Sequence, residues 1–269
     1  MYSLILTDID GTLLKDDLTI SEKTILAFRK AREKGIGIVL SSGRYLNGIQ
    51  FLKEELAIDD AILSGINGAL IKHGEKYLNS VTLGVESYEK AAAILKGRCK
   101  SLIAFSESKY AIDCVDSFYS MQDNICRQKG IRMDLRSHKE VEKALGERIY
   151  KLLVKDDDSA QCQLLLEELR MKMGAEVEII SSHPSNFEIL PKGTDKSNSV
   201  SILSRELGIP KERMIAFGDW DNDAGMLASV GMGIAMANGS DRAKAAASFI
   251  TKDNNSDGIY YALKHLNVI

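Results

Sequence analysis

Two aspartates stand two positions apart directly after an apolar run in "LILTDIDGTLL", residues 4–14. Asp8 and Asp10 carry like charges at the end of what the pattern predicts to be a buried strand. Two carboxylates this close repel each other, and removing them from water is costly unless a cation or hydrogen-bond donors compensate. The pair therefore indicates either an ordinary solvated turn or a site for a positive ion.

Other polar residues follow the remaining apolar runs and suit a divalent cation and a phosphoryl group. They are Ser41, Ser42, Gly43 and Arg44 after a second run, Asn67 after a third, Lys196 at the start of a predicted helix, and Asp219, Asp221, Asn222 and Asp223 in "FGDWDND". Ligands of open α/β sheets bind beyond the carboxyl ends of the strands, so we expect these residues at one edge.

Magnesium prefers oxygen ligands and is usually held by one or two carboxylates together with substrate phosphate. Asp8 and Asp219 can supply the carboxylates, and the main-chain carbonyl of Asp10 a third oxygen. The remaining phosphoryl oxygens can be held by the Ser42 hydroxyl, the Gly43 amide and the Lys196 ammonium group. A cation would also compensate the repulsion between the paired aspartates.

The elements that must position these residues alternate between strand and helix. The N-terminal pattern predicts a strand at 3–7, a flap or hairpin at 11–20, a helix from the N-cap Ser21 to Lys34, a strand at 36–42, a helix at 45–56, a strand at 61–65 and a hairpin turn at Asn67–Gly68. The continuous apolar run at 36–42 is typical of a strand buried on both faces of a parallel sheet.

The same alternation returns in the C-terminal part. It predicts a helix at 196–207, a strand at 214–219, a helix at 223–230, a strand at 231–236, a helix at 241–249, a strand at 249–251 and a last helix from Asp257. Residues 84–187 instead show mixed helices and strands. We therefore predict a doubly wound parallel, Rossmann-like α/β core formed by 1–83 and 188–269, with a smaller inserted α+β cap formed by 84–187.

Bulk composition excludes several classes of partner. The 269 residues are 45% hydrophobic and 27% charged, as in ordinary globular proteins. A net charge of −3 and a pI near 5.9 argue against a general affinity for nucleic acid or an anionic membrane. No apolar run approaches the roughly 20 residues of a membrane span. We therefore expect a small-molecule partner.

The N-terminus and the cysteines both favour the cytoplasm. Charged residues appear too early for a signal peptide. No CxxC spacing occurs among the four cysteines, Cys99, Cys114, Cys126 and Cys162. We expect them to be reduced thiols rather than disulfides or metal ligands.

Four segments resemble, in order, the signature motifs of the haloacid dehalogenase superfamily. They are "DIDGT", the hydroxyl residue in "SSGR", "KGTDKSNSV" and "GDWDND". The segments "SSGR" and "NGAL", the place of the insertion and the C-terminal "DGIYYALKHL" are similar to its Cof-type branch, whose members are phosphatases with a large α/β cap. The resemblance covers 1–83 and 188–269, while 84–187 matches the cap in position and size only.

The resemblance implies a magnesium-dependent phosphatase acting on a small phosphorylated metabolite, with sugar phosphates the leading class. Asp8 would attack phosphorus and form an aspartyl-phosphate. Asp10 would protonate the leaving oxygen and then act as base for the hydrolytic water. The cap would close over the core, exclude water and select the substrate.

The remaining site roles also follow from the resemblance. The implied magnesium ligands are Asp8, the Asp10 carbonyl and Asp219, with Asp223 binding directly or through water. Ser42 and Lys196 would bind the phosphoryl group. Asn222 would orient Lys196 or the substrate.

The chain departs from the family pattern at Ser42, at Trp220 and after Lys196, where the polar Ser197 and Asn198 replace the common glycine. Lys192 competes for the lysine role, but Lys196 matches the motif spacing better. Ser42 stands where threonine is more usual, which keeps the hydroxyl group. Trp220 occupies a position that is usually small, so it is expected to wall the site or touch the substrate. Arg44 fits either a substrate contact or a structural salt bridge, and Asp221 fits a solvated surface better than a direct role.

Two alternatives share much of this chemistry. A phosphosugar mutase of the same fold would pass the phosphoryl group to a hydroxyl group, so isomerisation without phosphate release would identify it. A receiver-type signalling protein also uses aspartates, magnesium and a lysine on an open sheet. Its acidic pair, however, lies at the first strand and its phosphorylated aspartate on a later one, and it needs no insertion of this size.

Overall fold

The computed structural model describes residues 2–114, 120, 122–124 and 128–269. Contacts divide the chain into two compact units: unit 1 comprises Met1–Gly43, Ile49–Asn79 and Asp195–Ile269, and unit 2 comprises Arg44–Gly48 and Ser80–Thr194. The predicted catalytic core at 1–83 and 188–269 and the predicted cap at 84–187 stay predictions. Within the described ranges, no helix has the length and apolar character needed to cross a bilayer.

Strands and helices are numbered here in chain order over the described residues. The strands are β1 (Leu4–Thr7), β2 (Gly37–Ser41), β3 (Ile62–Gly65), β4 (Leu70–His73), β5 (Lys76–Ser80), β6 (Ser101–Phe105), β7 (Tyr110–Ile112), β8 (Ile131–Arg132), β9 (Lys151–Lys155), β10 (Val177–His183), β11 (Asn186–Pro191), β12 (Met214–Gly218), β13 (Met232–Ala235) and β14 (Phe249–Ile250). The helices are α1 (Glu22–Glu33), α2 (Asn47–Leu56), α3 (Val85–Leu95), α4 (His138–Leu145), α5 (Ser159–Met173), α6 (Lys196–Leu207), α7 (Ala224–Ala228), α8 (Asp241–Ala246) and α9 (Gly258–His265).

The sheet of unit 1 has the strand order β14-β13-β12-β1-β2-β3-β4-β5. The strands from β14 to β3 run parallel, and β4 returns antiparallel to β3 across the predicted turn at Asn67–Gly68. Leu4 and Leu6 of β1 join a hydrophobic cluster with Val200 of α6, and the alternate residue Ile5 faces the opposite side of the sheet. The predicted doubly wound parallel sheet is confirmed.

Strand β1 lies at the point where the strand order reverses direction. Thr7, its last residue, pairs with Leu40 of β2 on one side and with Phe217 of β12 on the other. The next residue, Asp8, still donates its N–H to the Phe217 carbonyl oxygen at 2.9 Å. Because the three strands end together, the loops that follow β1, β2 and β12 start side by side at this edge.

Unit 2 contains a mixed sheet with the strand order β10-β11-β9-β6-β7-β8. The pairs formed by these neighbours are antiparallel except for β7 with β8. One face packs against helices in a cluster that includes Leu152 and Val154 of β9 and Leu165 and Leu169 of α5. The predicted α+β character of the insertion is confirmed.

Strand β11 is not among the predicted strands. It pairs with both β9 and β10, and its buried residues Phe187 and Ile189 alternate with the half-buried Asn186 and Glu188. The alternation of Asn186, Phe187, Glu188 and Ile189 is a period-two strand signal, which the prediction missed because the run is short.

The segment after Asp10 forms consecutive turns instead of the expected flap or hairpin. The Ile9 carbonyl oxygen accepts hydrogen bonds from the N–H groups of Leu13 at 3.0 Å and Leu14 at 2.9 Å. One isolated bridge joins Asp10 to Leu14. Because the N–H groups of Leu13 and Leu14 both donate to the Ile9 carbonyl oxygen, the chain forms tight turns here.

Three cysteines among the described residues are free thiols. Cys99, Cys114 and Cys162 form no disulfide, and burial raises the pKa of Cys99 to about 12. A thiol with so high a pKa is protonated at neutral pH and is a poor nucleophile. Cys126 lies outside the described residues.

Candidate active site

Lys196 is the first residue of α6, and the local sequence fixes that helix start. Asp195 has extended backbone angles and its side chain accepts the Asn198 N–H at 2.8 Å, which caps the helix. Gly208, with a φ of 65°, ends the helix in the left-handed region. The lysine side chain therefore leaves the helix at a defined point, and it is only 2% exposed.

The Lys196 ammonium group bridges two carboxylates. Its Nζ donates to Asp8 Oδ1 at 2.5 Å and to Asp223 Oδ1 at 2.6 Å, and all three side chains are buried. Charge-assisted hydrogen bonds of this length in a buried setting are strong and directional. The predicted lysine and the first predicted aspartate are thus in direct contact.

Asp219 and Asp223 complete the acidic group. Carboxylate oxygens of Asp8, Asp219 and Asp223 all lie within 4.8 Å of one another. The second oxygen of Asp223, Oδ2, accepts the backbone N–H groups of Asp219 at 3.0 Å and Trp220 at 3.1 Å. Asp223 therefore shapes the loop after β12 as well as binding the lysine.

Two residues of the "DIDGT" segment have roles that the sequence analysis leaves unassigned. The Thr12 hydroxyl donates to Asp219 Oδ1 at 2.8 Å. Gly11 has a φ of 80°, and a Cβ atom at this position would collide with the Asp219 carboxylate. Both residues belong to the motif, but their contact with Asp219, more than 200 positions away, is known only from the folded chain.

The site carries more negative than positive charge. Three buried carboxylates face one buried ammonium group, which leaves an excess of two negative charges when all are ionised. A divalent cation supplies that missing charge, and carboxylate oxygens are suitable ligands for a hard ion. The residues present therefore fit a divalent metal ion.

The pKa values of these groups reflect the same imbalance. Burial raises the pKa of Asp8 well above its usual value, although Lys196 opposes the shift. Burial, followed by the charge of Asp223, raises the pKa of Asp219 to about 6. For Lys196, burial opposes the charged form, but the carboxylates of Asp223 and Asp8 outweigh it and raise its pKa. The lysine is a permanent cation here.

Three further predicted site residues, Ser42, Asp10 and Asn222, lie in loops and turns of unit 1. Ser42 is buried directly after β2, where its N–H donates to the Ser64 carbonyl oxygen at 2.9 Å. Asp10 is exposed two residues after Asp8, and Asn222 lies half-buried in the turn Asp221–Asp223. All of these belong to unit 1.

The first boundary between the two units falls between Gly43 and Arg44. Gly43 is the last residue of the first segment of unit 1, and Arg44 is grouped with unit 2. The Arg44 guanidinium group donates to the Gly48 carbonyl oxygen at 3.4 Å. Asp221 is exposed and accepts the Ser240 hydroxyl at 2.7 Å.

Comparison with known proteins identifies the family. A sequence model described as haloacid dehalogenase-like hydrolase matches residues 5–263. The chain belongs to this family. The 5-amino-6-(5-phospho-D-ribitylamino)uracil phosphatase YitU of Bacillus subtilis is 29% identical, with 97% of this chain and 96% of the relative covered. A second phosphatase of that description from the same organism, YcsE, is 28% identical, with 97% and 94% covered.

A solved structure shows the same architecture. The crystal structure of a haloacid dehalogenase-like hydrolase from Bacteroides thetaiotaomicron matches with a TM-score of 0.89 and 25% identity, covering 99% of this chain and 100% of that chain. The predicted family, the predicted fold class and the predicted class of enzyme, a phosphoric monoester hydrolase, are confirmed.

Removing the N-cap of α6 tests whether the helix start positions Lys196. Asp195→Ala should lower the free energy of unfolding by about 1 kcal/mol, because the Asn198 N–H loses its acceptor. It should also lower kcat for 4-nitrophenyl phosphate severalfold, because Lys196 is the next residue. Urea unfolding and phosphate release measure the two effects.

The matched control is Asp158→Ala, which removes the aspartate that caps α5 in unit 2. It should reduce stability by a similar amount and leave kcat unchanged. Equal effects of the two substitutions on kcat would show that the helix start does not position the lysine.

The raised pKa of Asp219 predicts that the metal-free protein loses stability as the pH rises. In the unfolded chain an aspartate ionises near pH 3.9, whereas folded Asp219 holds its proton to about pH 6. Between these values the unfolded state loses its proton first, so wild-type stability falls as pH rises. In EDTA, the Tm of Asp219→Asn relative to wild type should therefore rise between about pH 4 and 6 and then level off.

Asp221→Asn is the control, since this exposed carboxylate lies two residues away. Its Tm should parallel that of the wild type across the range. Saturating Mg²⁺ should stabilise the wild type more than Asp219→Asn. A constant Tm difference between Asp219→Asn and wild type at all pH values would show that Asp219 titrates normally.

Proposed function

We propose that the protein is a magnesium-dependent phosphatase that hydrolyses small phosphomonoesters through an aspartyl-phosphate on Asp8. One observation carries the proposal: the Lys196 ammonium group lies within 2.6 Å of oxygens of both Asp8 and Asp223, inside an acidic cluster at the carboxyl edge of the sheet. A fixed cation beside a carboxylate and a metal-binding group is suited to hold and attack a phosphoryl group.

Magnesium would be held by the carboxylates of Asp8 and Asp219 and by the main-chain carbonyl of Asp10. Both oxygens of Asp223 already accept hydrogen bonds, one from Lys196 and one from two backbone N–H groups. This use of its oxygens favours a supporting role for Asp223, through water, over direct ligation. The bound ion would supply positive charge against the phosphoryl oxygens.

Asp8 is the proposed nucleophile. A carboxylate oxygen of Asp8 forms a bond to phosphorus while the bond from phosphorus to the substrate alcohol breaks. Asp10 gives its proton to the departing oxygen. In the second step water attacks phosphorus, Asp10 takes the water proton, and inorganic phosphate leaves with Asp8 regenerated. Asp10 is exposed, which is compatible with exchange of water and protons between the steps.

Lys196 and Ser42 are the proposed phosphoryl-binding side chains. The raised pKa of Lys196 keeps the group charged at neutral pH. Its contact with Asp8 means that a phosphoryl group bound to that carboxylate comes within reach of the ammonium group. The Gly43 amide, the Arg44 side chain and Asn222 remain candidates for further contacts to the phosphoryl group or the rest of the substrate.

The proposed substrates are small phosphorylated metabolites, with sugar phosphates as the leading class. Two relatives are described as phosphatases of 5-amino-6-(5-phospho-D-ribitylamino)uracil, a phosphorylated ribityl chain joined to a uracil ring. This compound and simple sugar phosphates therefore belong first in a substrate panel. We propose that unit 2 serves as the cap that selects among them.

Asp8→Asn tests the nucleophile. The variant keeps the size of the side chain but cannot form the covalent intermediate, so Mg²⁺-dependent phosphate release should fall by at least about 10³-fold. In the wild type, mass spectrometry of acid-quenched enzyme should locate phosphate on the peptide that contains Asp8. EDTA should abolish turnover, and added Mg²⁺ should restore it.

Asp17→Asn provides a matched control, because Asp17 is an exposed aspartate in the turns that follow β1 and its acceptor oxygen is preserved in asparagine. It should retain wild-type kcat. Appreciable activity in Asp8→Asn, or phosphate found on another residue, would overturn the assignment of the nucleophile.

A further inference from the structure

Trp220 is an exposed aromatic side chain beside the acidic cluster. It is the single tryptophan of the chain, and it follows Asp219 in the loop after β12. Every residue of β12 is buried, yet Trp220 is 42% exposed. A structural role in packing would bury the indole ring. Trp220 lies at the edge where ligands of such sheets bind, so its exposed surface is open to a ligand there.

The backbone that carries the indole is fixed on both sides. The Trp220 N–H donates to Asp223 Oδ2 at 3.1 Å, and its carbonyl oxygen accepts the Asp223 N–H at 2.9 Å. The Asp219 carbonyl oxygen accepts the Ser240 N–H at 2.8 Å, and the Asp221 side chain accepts the Ser240 hydroxyl at 2.7 Å. The backbone of Trp220 is therefore held by the same Asp223 that binds Lys196.

A tryptophan at this place offers a kind of contact that the charged residues around it cannot. Asp8, Asp219, Asp223 and Lys196 are suited to the phosphoryl group and the metal ion. The indole instead offers a large flat apolar face, which favours stacking on a planar ring. Stacking of an aromatic side chain on a base contributes about 1–3 kcal/mol when measured by alanine substitution. This is enough to set a preference of about tenfold between otherwise similar substrates.

We infer that Trp220 is a specificity-determining residue that packs against a planar ring in the alcohol part of the substrate. The enzyme would then prefer phosphomonoesters that carry a heterocyclic or aryl ring over phosphorylated sugars that lack one. The uracil ring in the substrate named for two relatives has this chemistry. The inference rests on the proposed phosphatase function and narrows its substrate class.

A matched pair of ligands tests it: 5′-UMP and D-ribose 5-phosphate share the phosphorylated sugar and differ by the uracil ring. Each is measured as a competitive inhibitor of 4-nitrophenyl phosphate hydrolysis in Mg²⁺. In the wild type, the Ki for 5′-UMP should be about tenfold lower than that for ribose 5-phosphate. Trp220→Ala should remove this difference by weakening 5′-UMP alone, and it should raise the KM for 4-nitrophenyl phosphate. Trp220→Phe, which keeps a flat ring, should retain most of the preference.

Tyr261→Ala is the control, because Tyr261 is an aromatic residue of unit 1 with the same 42% exposure. It should leave both Ki values unchanged. Fluorescence of the single tryptophan gives an independent readout, since 5′-UMP should change its emission over the concentration range set by its Ki and ribose 5-phosphate should not.

Equal Ki values in the wild type, or a preference that survives Trp220→Ala, would overturn the inference and leave the proposed function intact. Failure to release phosphate from 4-nitrophenyl phosphate and from the whole panel of phosphomonoesters would be different. That outcome would refute the proposed function, and the inference would fall with it.

Discussion

The buried ammonium group of Lys196 lies between Asp8 and Asp223, and the arrangement of unit 1 at this edge depends on that contact. It joins the end of β1, the start of α6 and the loop after β12. Breaking a buried ion pair by removing one partner costs about 3–5 kcal/mol, because the other charge is left uncompensated in a medium that solvates it poorly. Lys196 at the start of α6 therefore holds both the end of β1 and the loop after β12 in place.

The same contact leaves the site short of positive charge. One ammonium group cannot balance three buried carboxylates. Burial, and after it the neighbouring Asp223 carboxylate, raises the pKa values of Asp8 and Asp219. A cluster optimised for stability alone would not gather these charges. Their gathering has a functional explanation, since a divalent ion and a bound phosphoryl group would place opposite charges where each stabilises the other. Under the proposed function, the cluster reduces the stability of the metal-free chain and favours ion binding.

Much of this arrangement follows from local sequence. Helix α6 spans the predicted residues 196–207 because its cap at Asp195 and its left-handed glycine at position 208 are local signals. The meeting of Asp8 with Asp219 follows from the rule that parallel strands place their carboxyl ends at one edge. The sequence does not predict which carboxylate takes which role, because that depends on which of its oxygens already accept hydrogen bonds in the folded chain.

Features that depend on long-range partners were not predictable in this way. Thr12 binds Asp219 from the far end of the chain, and no spacing in the sequence connects the two. Strand β11 pairs with β9 on one side and with β10 on the other. The segment Arg44–Gly48 groups with unit 2 although it follows β2 directly in the chain. The Thr12–Asp219 hydrogen bond and the pairing of β11 with β9 join residues that are distant in sequence.

Anomalous diffraction from crystals grown with Mn²⁺ and orthovanadate tests whether Asp8, Asp219 and Lys196 hold a metal ion and a phosphoryl group together. We expect one manganese peak within bonding distance of carboxylate oxygens of Asp8 and Asp219. We also expect vanadium next to Asp8, with the Lys196 ammonium group bonded to a vanadate oxygen. Manganese bound away from both aspartates, or a vanadate with no contact to Lys196, would contradict the proposed arrangement.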